Sequence, residues 1–256
     1  MNSPNWTRNE LILALNLYMK LPFGKLDKRT PEVKQLAALI GRTDNAVSIR
    51  LNNYVSVDPF QQKRGIKGLI NGREIVKPFW DEFNENREAL LFESEKILAE
   101  LEHQTIETKF AEELIGIGHL IGEDKIREVK TRVNQQVFRQ IVTTNYGGKC
   151  AITGINIPEL LIASHIIPWA KNEQERLNPE NGICLSATYD KAFDKGFIGV
   201  NERLEVIVSS KLKAYENETF YPKQFADLAG KNLLPSLTYP PRKEFLQYHL
   251  DTIFQH

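Results

Sequence analysis

The stretches Lys149-Cys-Ala-Ile-Thr-Gly154, Glu159-Leu-Leu-Ile-Ala-Ser-His-Ile-Ile-Pro-Trp169 and Asn178-Pro-Glu-Asn-Gly-Ile-Cys-Leu-Ser-Ala-Thr-Tyr-Asp-Lys-Ala-Phe-Asp194 carry the most specific pattern in the chain. Residues 160–167 form an apolar, strand-favouring run closed by Pro168. Asn178-Pro-Glu-Asn-Gly182 is a turn cluster, and Ile183-Cys-Leu185 reads as a second short strand. Ser186 stands where it can cap a helix on which Asp190 and Asp194, four residues apart, share one face. The predicted order is strand, loop, strand, helix, with a histidine leaving the first strand and two carboxylates on the helix.

A histidine in an apolar strand is more often a packed residue than a catalyst, and two aspartates on a helix can be a solvated face. Their order favours chemistry. Imidazole is the side chain best suited to take a proton from water near neutral pH. Carboxylates are hard oxygen donors suited to Mg²⁺ or Mn²⁺. A base beside a hard cation is what phosphodiester hydrolysis requires, because water must be activated and charge at phosphorus neutralised.

With these elements in view, the sequence resembles the HNH endonucleases, the ββα-metal superfamily. The resemblance is carried by Tyr146 with Cys150-Ala-Ile-Thr-Gly154, Ala163-Ser-His-Ile-Ile-Pro-Trp169, Asn181-Gly-Ile-Cys-Leu185 and Phe193-Asp-Lys-Gly196; it extends from about Arg132 to Ser210, and the tail through His249 is also similar to this branch. It implies that His165 is the general base and that Asn181 orients the histidine and its loop. The motif's third position, commonly His, falls on Asp190, and the next ligand position on Asp194; both keep a metal-binding side chain. Some relatives carry an acid or His just before the catalytic His, where this chain has Ser164. Many also carry paired Cys-x-x-Cys zinc sites; here Thr153 stands three residues after Cys150, and Cys184 has no partner at that spacing. One Mg²⁺ or Mn²⁺ per active site and no structural zinc are therefore expected, with both cysteines as packing residues. Trp169 and Phe193 read as core. An unperturbed imidazole at position 165 implies activity that falls as pH drops through about 6.5.

Working outward, 256 residues suit one large domain or two modest ones, and a composition of 41% hydrophobic and 26% charged residues excludes wholesale disorder. Thirty-three basic and thirty-three acidic residues exclude a uniformly basic nucleic-acid glove. The charge is nevertheless blocked: five bases against two acids over 28–55, three against eleven over 81–114, and six against one over 125–150. In the last block, Arg132 and Arg139 precede the motif on a predicted helix and are candidate phosphate contacts. Two cysteines cannot form a disulfide framework, no apolar run reaches membrane-span length, and the N-terminus has no signal-peptide character. The expectation is a soluble cytoplasmic protein.

The N-terminal third reads as helical. Thr7-Arg-Asn-Glu10 is a capping box, Thr30-Pro31 opens a second helix, and Thr43 caps a third after Gly41. The second and third resemble a helix-turn-helix, with Arg42, Asn45, Ser48 and Asn52 as candidate DNA contacts; a bundle that only dimerises is the competing reading. Residues 57–80 read as loops with room for a hairpin at Asn71-Gly72, followed by a long helix from Trp80 to about Ala111 and a hinge at 116–125.

The expected fold class is α+β: a helical, possible targeting module at 1–80, a linking helix at 81–118, and a ββα-metal nuclease domain with a C-terminal extension at 119–256. The expected function is a metal-dependent, restriction-type DNA endonuclease, sequence-specific or modification-dependent, acting on duplex DNA as a homodimer. Two alternatives stay open: a non-catalytic DNA-binding regulator with a nuclease-like fold, and a structure- or RNA-directed nuclease recruited by a protein partner.

Overall fold

Thr7 starts the first helix: its hydroxyl accepts from the Glu10 N–H, while the Glu10 carboxylate accepts from the Thr7 N–H at 2.7 Å. The computed structural model describes residues 5–256 and divides the chain into two units, Met1–Ile141 and Val142–His256. The first unit is helical. Its elements are α1 (Arg8–Lys20), α2 (Pro31–Leu39), α3 (Asp44–Val55), α4 (Pro59–Lys63), α5 (Arg73–Glu85), α6 (Arg87–Leu101), α7 (Ile106–Lys109) and most of α8 (Gly122–Asn145). Apolar faces of α1, α3, α5 and α6 meet in the core, where Leu15, Leu51, Tyr54 and Leu91 are fully buried. Tyr54 keeps its hydroxyl satisfied by donating to the Leu11 carbonyl at 2.9 Å, and Tyr18 does so through Asp58 at 2.6 Å.

Three expectations are corrected here. Residues 57–80 hold no strand among the described residues: Asn71-Gly72 leads into α5, with Gly72 at φ 103° as its N-cap, and Pro78 sits inside that helix. Buried Val76, Trp80 and Phe83 hold α5 in place despite the hydrogen bond that proline cannot donate. The long helix expected from Trp80 to about Ala111 is three helices. Asn86 breaks it by turning to φ −148° and accepting from the Ala89 N–H, and Thr105 caps α7 by accepting from Thr108. The division expected near 116–125 falls at 141/142, within α8, because Val129 and Val133 join Ile106, Phe110 and Ile117 in one apolar cluster.

The second unit mixes helix and strand. β1 (Leu161–His165) pairs antiparallel with β2 (Gly182–Ser186), with Leu161 opposite Ser186 and His165 opposite Gly182. α9 (Ala187–Asp194) follows directly and packs on both strands. A second hairpin, β3 (Ile198–Val200) with β4 (Val206–Val208), leads to the short helices α10 (Ser210–Lys213) and α11 (Tyr221–Gln224), and then α12 (Lys243–Thr252). Asn145 ties this unit's start to its C-terminal segment: its side chain donates to the Tyr239 carbonyl and accepts from the Thr238 and Tyr239 N–H groups. No helix among the described residues is long and apolar enough to cross a membrane.

The helical unit buries several ionisable side chains, Arg50, Asp58 and Glu95 among them. Glu95 accepts from Lys20 and from Asn16, and Lys109 lies 3.7 Å away. Burial pushes its carboxyl up, but the two lysines and Asn16 outweigh that and hold it below the ordinary carboxylate range. Glu95→Gln should destabilise the unit by about 3 kcal/mol in urea unfolding, since it strands the partly buried Lys20 ammonium and leaves Lys109 with Glu102 alone. A loss under about 1 kcal/mol would show that the lysines simply turn to solvent.

Candidate active site

The β1–β2 register sets this site. His165 ends β1 opposite Gly182, so Asn181 immediately precedes the strand that pairs with the histidine. Ile166 donates its N–H to the Asn181 carbonyl at 2.9 Å, closing the loop at its neck. The buried Asn181 side chain then accepts from the Ile167 N–H at 2.8 Å and donates to the carbonyls of Ile167 (3.2 Å) and Glu175 (3.1 Å). One amide thus ties both ends of the 166–181 loop.

That loop delivers the partner of the histidine. The Arg176 carbonyl lies 2.9 Å from His165 Nε2. A carbonyl can only accept, so Nε2 carries the proton and Nδ1 is the basic nitrogen. The Arg176 side chain turns back, donating from Nε to the Trp169 carbonyl at 2.7 Å, with its guanidinium 5.2 Å from the Trp169 ring centre. Trp169 in turn meets His165 edge-on at 5.4 Å. The indole was expected in the core; it is half-buried, as a wall between histidine and arginine. Phe193 is buried. Burial pushes His165 down to about 4, opposed by the hydrogen bond to the Arg176 carbonyl and reinforced by the Arg176 charge. This moves the acid limb expected near 6.5: in the unliganded protein the imidazole stays neutral well below that pH.

On α9, Asp190 is half-buried and Asp194 exposed. Burial raises both carboxyl groups; the neighbouring Asp194 charge raises Asp190 further, while Lys191 opposes the shift in each. Ser164 Oγ is buried without a hydrogen bond of ordinary length, yet lies close enough to Asp190 to favour its charged form. Among the described residues no three His, Cys, Asp or Glu side chains converge as a metal cage. A hard cation does not need one, since Mg²⁺ is commonly held by one or two carboxylates plus waters and phosphate. Asp190, beside the buried Ser164 hydroxyl, and Asp194 one turn further along α9 offer carboxylate oxygens of the kind such an ion takes.

Ser186, expected to cap α9, occupies the N-cap but makes no capping bond through its side chain. Its N–H donates to Cys150 Sγ at 3.2 Å, and its hydroxyl lies 3.7 Å from the same sulfur. Thr153 also donates its N–H to that sulfur, so the Cys-x-x-Thr turn closes on the thiol itself. Both cysteines are buried.

Residues 150–201 match the HNH endonuclease family model. The match begins at Cys150 and takes in β1, β2, α9 and β3. Comparison with curated proteins finds no match. The HNH segment alone does not hold α9, because support comes from beyond it. His249 on α12 is buried, stacks on Phe193 at 3.8 Å and 8°, and lies 3.0 Å from the Phe193 carbonyl through Nε2. Gly196, at φ 70°, ends α9 where any Cβ would strike the Ile253 carbonyl oxygen at 2.0 Å, which is the physical demand behind the glycine of Phe193-Asp-Lys-Gly196. Arg242 pairs with Glu180 at the loop neck. Sequence reasoning extended the resemblance through His249 without giving that residue a role, and it missed the roles of Arg242 and the Arg176 carbonyl.

The basic residues proposed to meet DNA have other partners. Arg132 pairs with Glu128 one turn earlier on α8, and Arg139 is half-buried on the same helix. Arg42 forms a two-pronged bond to Glu10 and also donates to the Asn5 carbonyl, so it serves the α1 cap. Ser48 and Asn52 both donate to the Leu26 carbonyl, fixing the segment before α2 against α3. Of the four helix-turn-helix candidates, Asn45 alone has an exposed side chain.

The two imidazoles make pH dependence testable. Burial pushes both His165 and His249 to about 4, against 6.5 for the unfolded side chain. The unfolded state therefore binds protons first, so stability is complete above about 6.5 and declines as pH falls toward about 4. Nuclear magnetic resonance should show neither imidazole titrating between about pH 8 and 5.5, while the urea midpoint drops over the acid half of that range. A His165 midpoint near 6.5 would contradict the burial argument.

Proposed function

We propose that this protein is a metal-dependent DNA endonuclease of restriction type. The observation that carries the reading is His165, held with its proton on Nε2 at the end of the strand that the HNH segment places beside α9. Nδ1 takes the proton of a water molecule as that water attacks phosphorus and the bond to the 3′-oxygen breaks. Asn181 acts as a positioning residue, holding the loop whose carbonyl at Arg176 sets the tautomer. Asp190, helped by Asp194, would hold Mg²⁺ or Mn²⁺, which supplies positive charge for the phosphate and the departing oxygen. Restriction-type targeting assigns site choice to the helical unit, with Asn45 and the α8 arginines Arg132 and Arg139 as candidate DNA contacts. Cutting both strands of a duplex calls for a homodimer, since one such site cleaves one strand.

A second reading, a DNA-binding protein that keeps the nuclease fold without activity, is favoured by one feature: Ser164 stands where some relatives have a metal ligand. Plasmid nicking in Mg²⁺ and Mn²⁺ separates the two. His165→Ala should lower cleavage by about 10² or more while leaving affinity for uncut duplex unchanged, because general-base catalysis contributes at least that much. Retention within about tenfold removes the base assignment.

The carboxylates are tested separately. Calorimetric titration with Mn²⁺ should show binding lost in Asp190→Ala and only weakened in Asp194→Ala, because Asp190 lies nearer Ser164 and is the more buried. Unchanged Mn²⁺ affinity in Asp190→Ala would refute the ligand assignment.

A further inference from the structure

The loop between α4 and α5 does something the sequence pattern does not explain. It places Leu69 and Ile70 side by side at 44% and 61% exposure, on a surface where adjacent large apolar residues are costly to leave bare. It is also basic: 63–77 holds five bases and one acid, and Lys63, Lys67 and Arg73 are exposed with no ion pair among the described residues. The α3 face expected to meet DNA is, by contrast, largely committed to internal bonds.

This loop is rigidly held. The buried Asn53 side chain donates to the carbonyls of Leu69 (2.7 Å) and Asn71 (2.8 Å) and accepts from Arg50, while Leu69 donates its N–H to the Asn52 carbonyl at 2.9 Å. Gly68, at φ 63°, lies so close to α3 that a Cβ would sit 2.6 Å from the Ser56 nitrogen and 2.8 Å from the Asn52 oxygen. The fold therefore spends a buried asparagine and a left-handed glycine on presenting an apolar pair flanked by unpaired cations. A flexible loop could have folded those side chains away.

We infer that the 63–73 loop is a duplex-DNA contact of the helical unit, with Lys63, Lys67 and Arg73 on phosphates and the Leu69–Ile70 tip entering the minor groove. Cations around a small apolar wedge are complementary to a polyanion whose base steps can be parted. Charge alone would suit any polyanion; the pinned apolar tip favours a duplex. This inference rests on the nuclease reading for its choice of partner.

The test uses the full chain with EDTA present, so that binding is read without cleavage, and a fluorescent 30-base-pair duplex over a range of salt. Lys63→Gln/Lys67→Gln/Arg73→Gln should bind about tenfold more weakly at moderate salt and flatten the log–log salt slope by about 2 to 3, the value for three lost phosphate contacts. Leu69→Ser/Ile70→Ser should weaken binding with the slope unchanged, and should lose any bend seen between dyes on the duplex ends. All five positions are exposed, so the fold should survive; matching thermal melts check it. If wild type nicks plasmid in Mn²⁺ but both variants bind as it does, the loop assignment fails and the nuclease reading stands. If wild type neither binds nor cuts DNA, both fall. If the serine variant alters only the oligomeric state, the tip is a protein interface and the assignment is overturned.

Discussion

The buried amide of Asn181 meets three backbone groups, the N–H and carbonyl of Ile167 and the carbonyl of Glu175. Each is a group that would be expensive to bury unpaired, and no apolar side chain could replace the set. Because the amide spans the loop between β1 and β2, it determines where the next residue, Arg176, puts its carbonyl, and that carbonyl determines which nitrogen of His165 holds the proton. The geometry proposed to accept a proton is inherited from a residue that need not touch the reacting atoms. Asn178 and Arg242 reinforce the same loop by binding Glu175 and Glu180.

The other half of the site is held from behind. α9 is a two-turn helix that would not persist alone. Its buried face packs on β1 and β2, and its last turn is gripped by the C-terminal segment through the His249–Phe193 stack, the Gly196–Ile253 approach, and a hydrogen bond from the Gln255 N–H to the Gly196 carbonyl at 2.9 Å. Asp190 and Asp194 therefore stand on a helix fixed on two sides, in a setting whose burial disfavours their charge. A carboxyl pair so placed gains from a cation, and this is the physical link between the tight packing of α9 and the proposed metal chemistry.

Much of this was legible in the residues. The capping box at Thr7, the proline start at Pro31, the cap at Thr43 and the strand–loop–strand–helix order from 160 to 194 all rest on interactions within a few residues, and the structure forms each of these elements. The failures share a cause. Asn71-Gly72 has the chemistry of a hairpin turn, but Asn53, far earlier in the chain, captures the Asn71 carbonyl and turns the segment into α5. The polar face of α3 has the composition of a DNA-reading helix, but Glu10 and the Leu26 carbonyl claim Arg42, Ser48 and Asn52.

The sequence by itself determined which elements form and which chemical groups they carry, because caps, periodicity and turn residues act over one or two turns of chain. Tertiary structure alone decided what each polar group is bonded to and how it titrates. The tautomer of His165 depends on a carbonyl eleven residues away, its depressed basicity on burial, and the placement of α9 on a histidine fifty-six residues beyond Phe193. Partner choice and desolvation are properties of what the fold brings near, and no local pattern encodes them.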